Sequence, residues 1–255
     1  MSRFKHIIDN PTTSNPQTNY NTNGFQSTPQ STPYGNPQGM PQNPGMPQMS
    51  PQEQQAMMQA QANWPKVFPK SIIGLEYDGV INVDIGKPIT NPDEWTPIPG
   101  SLEAIRMMRL KGYKVVILSD QGGIVRGEQT HAQVEAMHQK AMNVFGQNGI
   151  FSIDGWYYAE SDMKEDIFAK PRIGMFDRAE KEFFGNKTRF KNGGYYVGHK
   201  MKDLKAGMKA GATPVLVRTG QGEQTEELLK KFSAEKVRKK TKTFNNLLQF
   251  AQSLK

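Results

Sequence analysis

From Lys70 onward the chain alternates short apolar runs with longer stretches whose apolar positions recur at helical spacing, and this alternation leaves few folds open. Residues 71–75, 114–118, 156–158, 195–197 and 215–217 read as strands, because each is a short apolar run bounded by polar or turn residues. Between them Leu102, Ile105 and Met108, or Val134, Met137, Ala141 and Val144, fall on one face of a helix. Strands that alternate with helices predict an α/β, Rossmann-like fold with a central parallel sheet flanked by helices. Several of the strands end in polar residues: Glu76 to Asp78, Ser119 to Gln121, and His199. In open α/β sheets the ligand crevice lies beyond the carboxyl ends of the strands, so these residues converge on one candidate site.

The chain before Ala62 differs in kind. It consists mostly of Pro, Gln, Asn, Ser, Thr, Gly and Met, with few charges and almost no branched aliphatics, and cannot bury enough apolar surface to offset its ordering entropy. The expected organisation is a disordered tail over 1–63 and one domain over 64–255. Ser50, Pro51 and Glu53 form a capping box with proline at the first helical position, which predicts a short helix near 51–62. Phe4, Ile7 and Ile8 stand at i, i+3 and i+4, the spacing of anchors for a protein partner's groove. The stretch behind them would act as a leash of about 35 Å. A solvated terminus with no partner reads equally well.

The absence of cysteine excludes disulfides and thiolate metal sites. The net charge of +8 owes much to one run, Lys230, Lys231, Lys236, Arg238, Lys239, Lys240 and Lys242. No aromatic residues alternate with these cations as stacking platforms, so the run reads as a solvated helix face and loop rather than a nucleic-acid surface. No apolar segment reaches the length of a membrane span, and no signal peptide is evident. The expected location is cytoplasmic, or inside a particle assembled within the cell.

The octapeptide from Leu75 to Asn82, Leu-Glu-Tyr-Asp-Gly-Val-Ile-Asn, resembles the first motif of the haloacid dehalogenase superfamily. Pro99-Gly100, then Ser119-Asp120-Gln121-Gly122-Gly123-Ile124, Lys170-Pro171, Val197-Gly198-His199-Lys200 with Asp203, and Val217-Arg218-Thr219-Gly220 follow in the order of its histidinol-phosphate and heptose-bisphosphate phosphatase branch. The resemblance implies a nucleophile at Glu76, an acid/base at Asp78, a phosphoryl-binding hydroxyl at Ser119 and a charge-neutralising lysine at Lys170. It also implies Mg²⁺ held by the carboxylate at 76, the backbone carbonyl of Asp78 and the residue at 199. Glu76, Asp78, His199 and Asp203 are the candidate metal residues, and Mg²⁺ or Mn²⁺ is the cofactor if turnover survives.

Against that pattern stand four departures. The family has aspartate where this chain has Glu76 and His199, usually arginine where it has Ala169, and usually asparagine where it has Asp120. A carboxylate moved by about an ångström can cost roughly 10²-fold in rate, and an imidazole is a poor ligand for Mg²⁺, which prefers oxygen. In the loop 159–168, where heptose enzymes bind structural zinc, neither cysteine nor histidine remains, so that site is expected to be absent; Glu160, Asp162, Glu165 and Asp166 read as a solvated acidic loop. The resulting expectation is a catalytically degenerate pseudo-phosphatase serving in binding or assembly, tethered by its tail, for example to a virus head, with a phosphate-containing ligand. The alternative is an active metal-dependent phosphatase of small phosphate esters, of the sugar-phosphate class. Simple structural roles compete at each position: Asp78, Ser119 and Asp203 as caps, the last for a helix beginning at Leu204, and His131 and His138 as surface or packing residues.

Overall fold

The computed structural model describes residues 71–150, 152–163, 165–185 and 190–255. The tail over 1–63, its helix near 51–62, the anchors Phe4, Ile7 and Ile8, and the domain boundary at 64 lie outside the described residues.

Six strands form one parallel sheet in the order β3-β2-β1-β4-β5-β6. They are β1 (Ile72–Leu75), β2 (Lys114–Asp120), β3 (Gly155–Ala159), β4 (Tyr195–Gly198), β5 (Thr213–Val217) and β6 (Lys242–Phe244). The helices are α1 (Ser101–Leu110), α2 (His131–Gln147), α3 (Gly174–Phe184), α4 (Met201–Ala210), α5 (Gly222–Leu229), α6 (Glu235–Arg238) and α7 (Leu247–Ser253).

A parallel sheet covered on both faces needs apolar side chains on both, which is why its strands read as continuous rather than alternating runs. Ile73 and Leu75 of β1 pack with Ile105 and Met108 of α1, Val134 and Phe145 of α2, and Phe250 of α7. Ile72, Val116, Leu118 and Tyr196 face the other way, against Met175, Phe176 and Ala179 of α3 and Ala206 and Ala210 of α4. The result is three layers, helix, sheet and helix. His138 of α2 is buried with its ring centroid 3.9 Å from that of Trp156.

The strand order reverses between β1 and β4, so the loops after these two strands part and leave a crevice at their carboxyl ends. β2 and β3 run further than expected, because Ser119 and Asp120 continue the ladder opposite Tyr158 and Ala159. β6 was not expected at all. It pairs with β5 from Val215↔Lys242 to Val217↔Phe244, so part of the lysine run is a short sheet edge rather than a loop.

Candidate active site

Strand periodicity sets the first part of the site. Glu76 still donates its amide to the Val197 carbonyl at 2.9 Å, as an extension of the β1–β4 pairing. Residues two apart in extended chain share a side, so Glu76 and Asp78 fall on one side while Tyr77 enters the core beside Trp156, ring centroids 4.7 Å apart.

Lys170 is the hub. Its peptide bond to Pro171 is cis, and its side chain is wholly out of solvent. The Nζ is ion-paired with Glu76, lies 3.0 Å from Asp203 Oδ1, and donates to Tyr196 Oη at 2.9 Å and to the Leu118 carbonyl at 3.2 Å. Burial pulls the Lys170 ammonium down to about 7, with Asp203 opposing it. Asp203 sits at the third position of α4, which begins at Met201 rather than Leu204, and its Oδ2 accepts from the amides of Lys200 at 2.9 Å and His199 at 3.2 Å. Burial works against its charge, but Lys170 and the other cations nearby outweigh it and hold the carboxyl below its usual range.

Asp78 accepts from Asn82 Nδ2 at 2.7 Å, and burial pushes its carboxyl above the ordinary value. An upward shift favours the protonated carboxyl, the direction a general acid needs. Ser119 is wholly buried and accepts from Gln121 Nε2 at 3.0 Å, so it does not cap the next helix.

His199 occupies a slot too narrow for most neighbours. At Gly79 an added Cβ would lie 2.5 Å from the ring Cε1, and at Gly220 it would lie 2.3 Å from Nδ1; both glycines have positive φ. Nδ1 accepts from the Gln221 amide at 2.8 Å. Burial holds the imidazole neutral, with its pKa down at about 4.

The structure therefore brings Glu76, Asp78, Ser119, Lys170, His199 and Asp203 to the carboxyl ends of β1, β2 and β4. It also adds residues that the sequence did not single out. Tyr196 reads as a core strand residue, yet its hydroxyl joins Lys170 and lies 3.5 Å from Glu76 Oε2. A cleft of about 210 Å³ opens above, lined by Asp78, Asp84, Asp120, Lys200, Lys202 and Gln221 among others. Lys200 Nζ stands 3.2 Å from Asp84 Oδ2, and Lys202 Nζ 2.5 Å from Asp120 Oδ2. Lys200 and Lys202 flank the start of α4, a spacing that could have marked them as the cations of a strand-end site. In the acidic loop Asp162 is ion-paired with Arg126, and Asp166 accepts from the Phe168 amide at 2.8 Å.

The donors do not suit Mg²⁺ held in the manner the resemblance implies. Glu76 is engaged by Lys170, and Asp203 by Lys170 and two amides. His199 accepts at Nδ1, which leaves the proton of the neutral ring on Nε2 and no lone pair there for a metal. Among the described residues no group of three or more His, Cys, Asp or Glu is arranged to hold a metal ion.

A six-stranded parallel sheet with paired acids at the end of its first strand is the architecture of the dehalogenase-type phosphatases, and comparison with known proteins agrees. The family described as polynucleotide kinase 3 phosphatase matches residues 77–208. The D-glycero-β-D-manno-heptose-1,7-bisphosphate 7-phosphatase of Pseudomonas putida is 37% identical over 154 residues, which are 60% of this chain and 85% of that protein. Its counterpart from Neisseria meningitidis is 32% identical over 182 residues, 71% of this chain and 92% of that one. The crystal structure of D,D-heptose 1,7-bisphosphate phosphatase from Bordetella bronchiseptica, complexed with magnesium and phosphate, superposes with a TM-score of 0.63 at 28% identity, covering 71% of this chain and 96% of that one. The chain belongs to the haloacid dehalogenase superfamily, in its heptose-bisphosphate phosphatase branch.

These likenesses overturn the expectation of a catalytically degenerate pseudo-phosphatase serving in binding or assembly. Relatives alignable over 85% and 92% of their own length carry the phosphatase name. The longer acid at 76, a departure when read alone, is received by Lys170 and Tyr196 within the fold. Among the described residues no helix is long and apolar enough to cross a membrane.

Proposed function

We propose that this chain is a phosphatase of small phosphate monoesters, of the sugar-phosphate class, with a heptose bisphosphate as the first candidate substrate. The observation that carries the reading is the Glu76 carboxylate paired with the buried Lys170 nitrogen at the strand end that also carries Asp78, whose carboxyl burial raises. The relatives' names support the substrate class.

In this reading a Glu76 carboxylate oxygen attacks phosphorus while the ester P–O bond breaks, and Asp78 gives its proton to the departing alkoxide oxygen. Asp78, now ionised, takes a proton from water as that water attacks the phosphorus of the acyl phosphate, releasing inorganic phosphate and restoring the Glu76 carboxylate. Lys170 offsets the negative charge that accumulates on the acid and the phosphoryl oxygens. Ser119, at the end of the neighbouring strand, holds one of those oxygens through its hydroxyl.

The test is phosphate release from D-glycero-β-D-manno-heptose 1,7-bisphosphate, p-nitrophenyl phosphate and a 3′-phosphorylated oligonucleotide. The reading expects the sugar phosphate to be the best substrate and Glu76→Gln to remove its turnover. Absence of release from all three, or preference for the oligonucleotide, defeats it.

A further inference from the structure

We propose that His199 serves the phosphoryl group as a neutral Nε2–H hydrogen-bond donor, so that this chain binds phosphate at the head of β4 without a divalent ion there. The inference rests on the phosphatase reading of the site and departs from it only in how the anion is held.

The tautomer follows from geometry. The Gln221 amide donates to Nδ1 at 2.8 Å, so the one proton of the neutral ring sits on Nε2. A metal would need a lone pair on that nitrogen, and freeing one would mean forming an imidazolate or breaking the Gln221 bond. Turning the ring over would put Cδ2 in place of Nδ1 opposite the Gln221 amide and lose that same bond, while the backbone that carries the ring is held by Thr225 Oγ1 donating to the His199 carbonyl at 2.8 Å and by the His199 amide donating to Asp203 at 3.2 Å.

The donor so created has nothing to bond within the chain. Nε2 is buried and has no hydrogen-bond partner, and Asp84 Oδ2, at 4.0 Å, is beyond hydrogen-bond reach. An orphaned buried donor costs about 1–3 kcal/mol, which an oxygen arriving from outside relieves. Nε2 points to the side of Asp84, a wall of the cleft that also carries Lys200 and Lys202. Lys200 and Lys170 are the cations whose charge reaches the His199 ring, and they favour an anionic oxygen at Nε2. Lys170, Lys200 and Lys202 then carry the charge neutralisation that a bound cation would otherwise supply.

The experiment titrates inorganic phosphate into the full chain by calorimetry, once with EDTA and once with Mg²⁺, and follows the His199 ring nitrogens by ¹⁵N NMR. Phosphate affinity is expected to agree within about threefold between the two buffers, with Nε2 protonated, Nδ1 not, and Nε2 shifted by phosphate but not by Mg²⁺. In His199→Asp the affinity is expected to become dependent on Mg²⁺ by about tenfold or more. If that variant fails to fold, the wild-type titrations and spectra decide alone.

Phosphate binding that disappears in EDTA, no phosphate binding in either buffer, or ring nitrogens that respond to Mg²⁺ would overturn the proposal. Turnover that demands Mg²⁺ together with such a response removes this inference and leaves the phosphatase reading standing. Metal-free phosphate binding without turnover of any ester does the reverse.

Discussion

Lys170 Nζ lies 3.0 Å from Asp203 Oδ1, and neither side chain has any exposure to solvent. The two residues come from different parts of the chain, the loop after β3 and the first turn of α4, so the pair fastens one side of the site to the other. Removing Asp203 leaves the buried Lys170 ammonium with Glu76 as its remaining close carboxylate, and breaking a buried pair costs up to roughly 3–5 kcal/mol. Asp203→Ala is expected to lose about that much stability, because two backbone amides lose their acceptor as well. Asp203→Asn should lose clearly less. Urea unfolding of both variants measures the difference.

Asp120 gives the fold an unusual pH dependence. Burial, opposed by Lys202, pushes its carboxyl up to about 6. A carboxyl raised above its unfolded value binds more protons folded than unfolded, so its ionised form destabilises the fold above about pH 6 and the penalty is relieved as pH falls toward 4. The full effect is on the order of 2–3 kcal/mol. Asp120→Asn is therefore expected to be more stable than wild type near neutral pH and equal to it near pH 4, read from urea midpoints across that range.

The glycine beside His199 supplies a non-additivity test. Gly79 has φ +76°, and its missing Cβ would fall 2.5 Å from the imidazole. Gly79→Ala is expected to cost about 1–3 kcal/mol from backbone strain and the clash together. In a His199→Ala background the clash vanishes and the backbone part alone remains, so the double variant should be more stable than the sum of the singles predicts. Additive losses would mean that the ring is free to move aside.

Asp78→Asn is expected to lower kcat on the sugar phosphate by roughly 10²–10⁴ while leaving the thermal midpoint near wild type. The smallest loss is expected with p-nitrophenyl phosphate, whose leaving group needs little protonation. Equal losses on both substrates would point to positioning rather than proton transfer.

Much of this arrangement is legible in the sequence, because β1 to β5 are buried runs whose chemistry begins where the apolar residues stop. Glu76, Asp78, Ser119, Lys170, His199 and Asp203 all lie at such transitions or in motifs with fixed spacing. Long-range pairing was not legible. Nothing near Tyr196 marks its hydroxyl as reaching Lys170, 26 residues away, and nothing near Asp84 indicates Lys200, 116 residues away, as its partner. β6 escaped notice because three residues within a lysine run carry no periodicity. The function was illegible for a related reason: His199 read alone departs from the family pattern, and only the fold brings Gln221, Gly79 and Gly220 around its imidazole.

That last strand also governs how the protein behaves in company. The outer margin of the sheet beyond β5 is three residues long, begins with an exposed lysine and follows two more. So brief and so charged a border offers no template onto which an unfolded neighbour's backbone can add, because each newcomer would meet positive charge before it could form a second rung. At that margin the sheet ends with its own last strand.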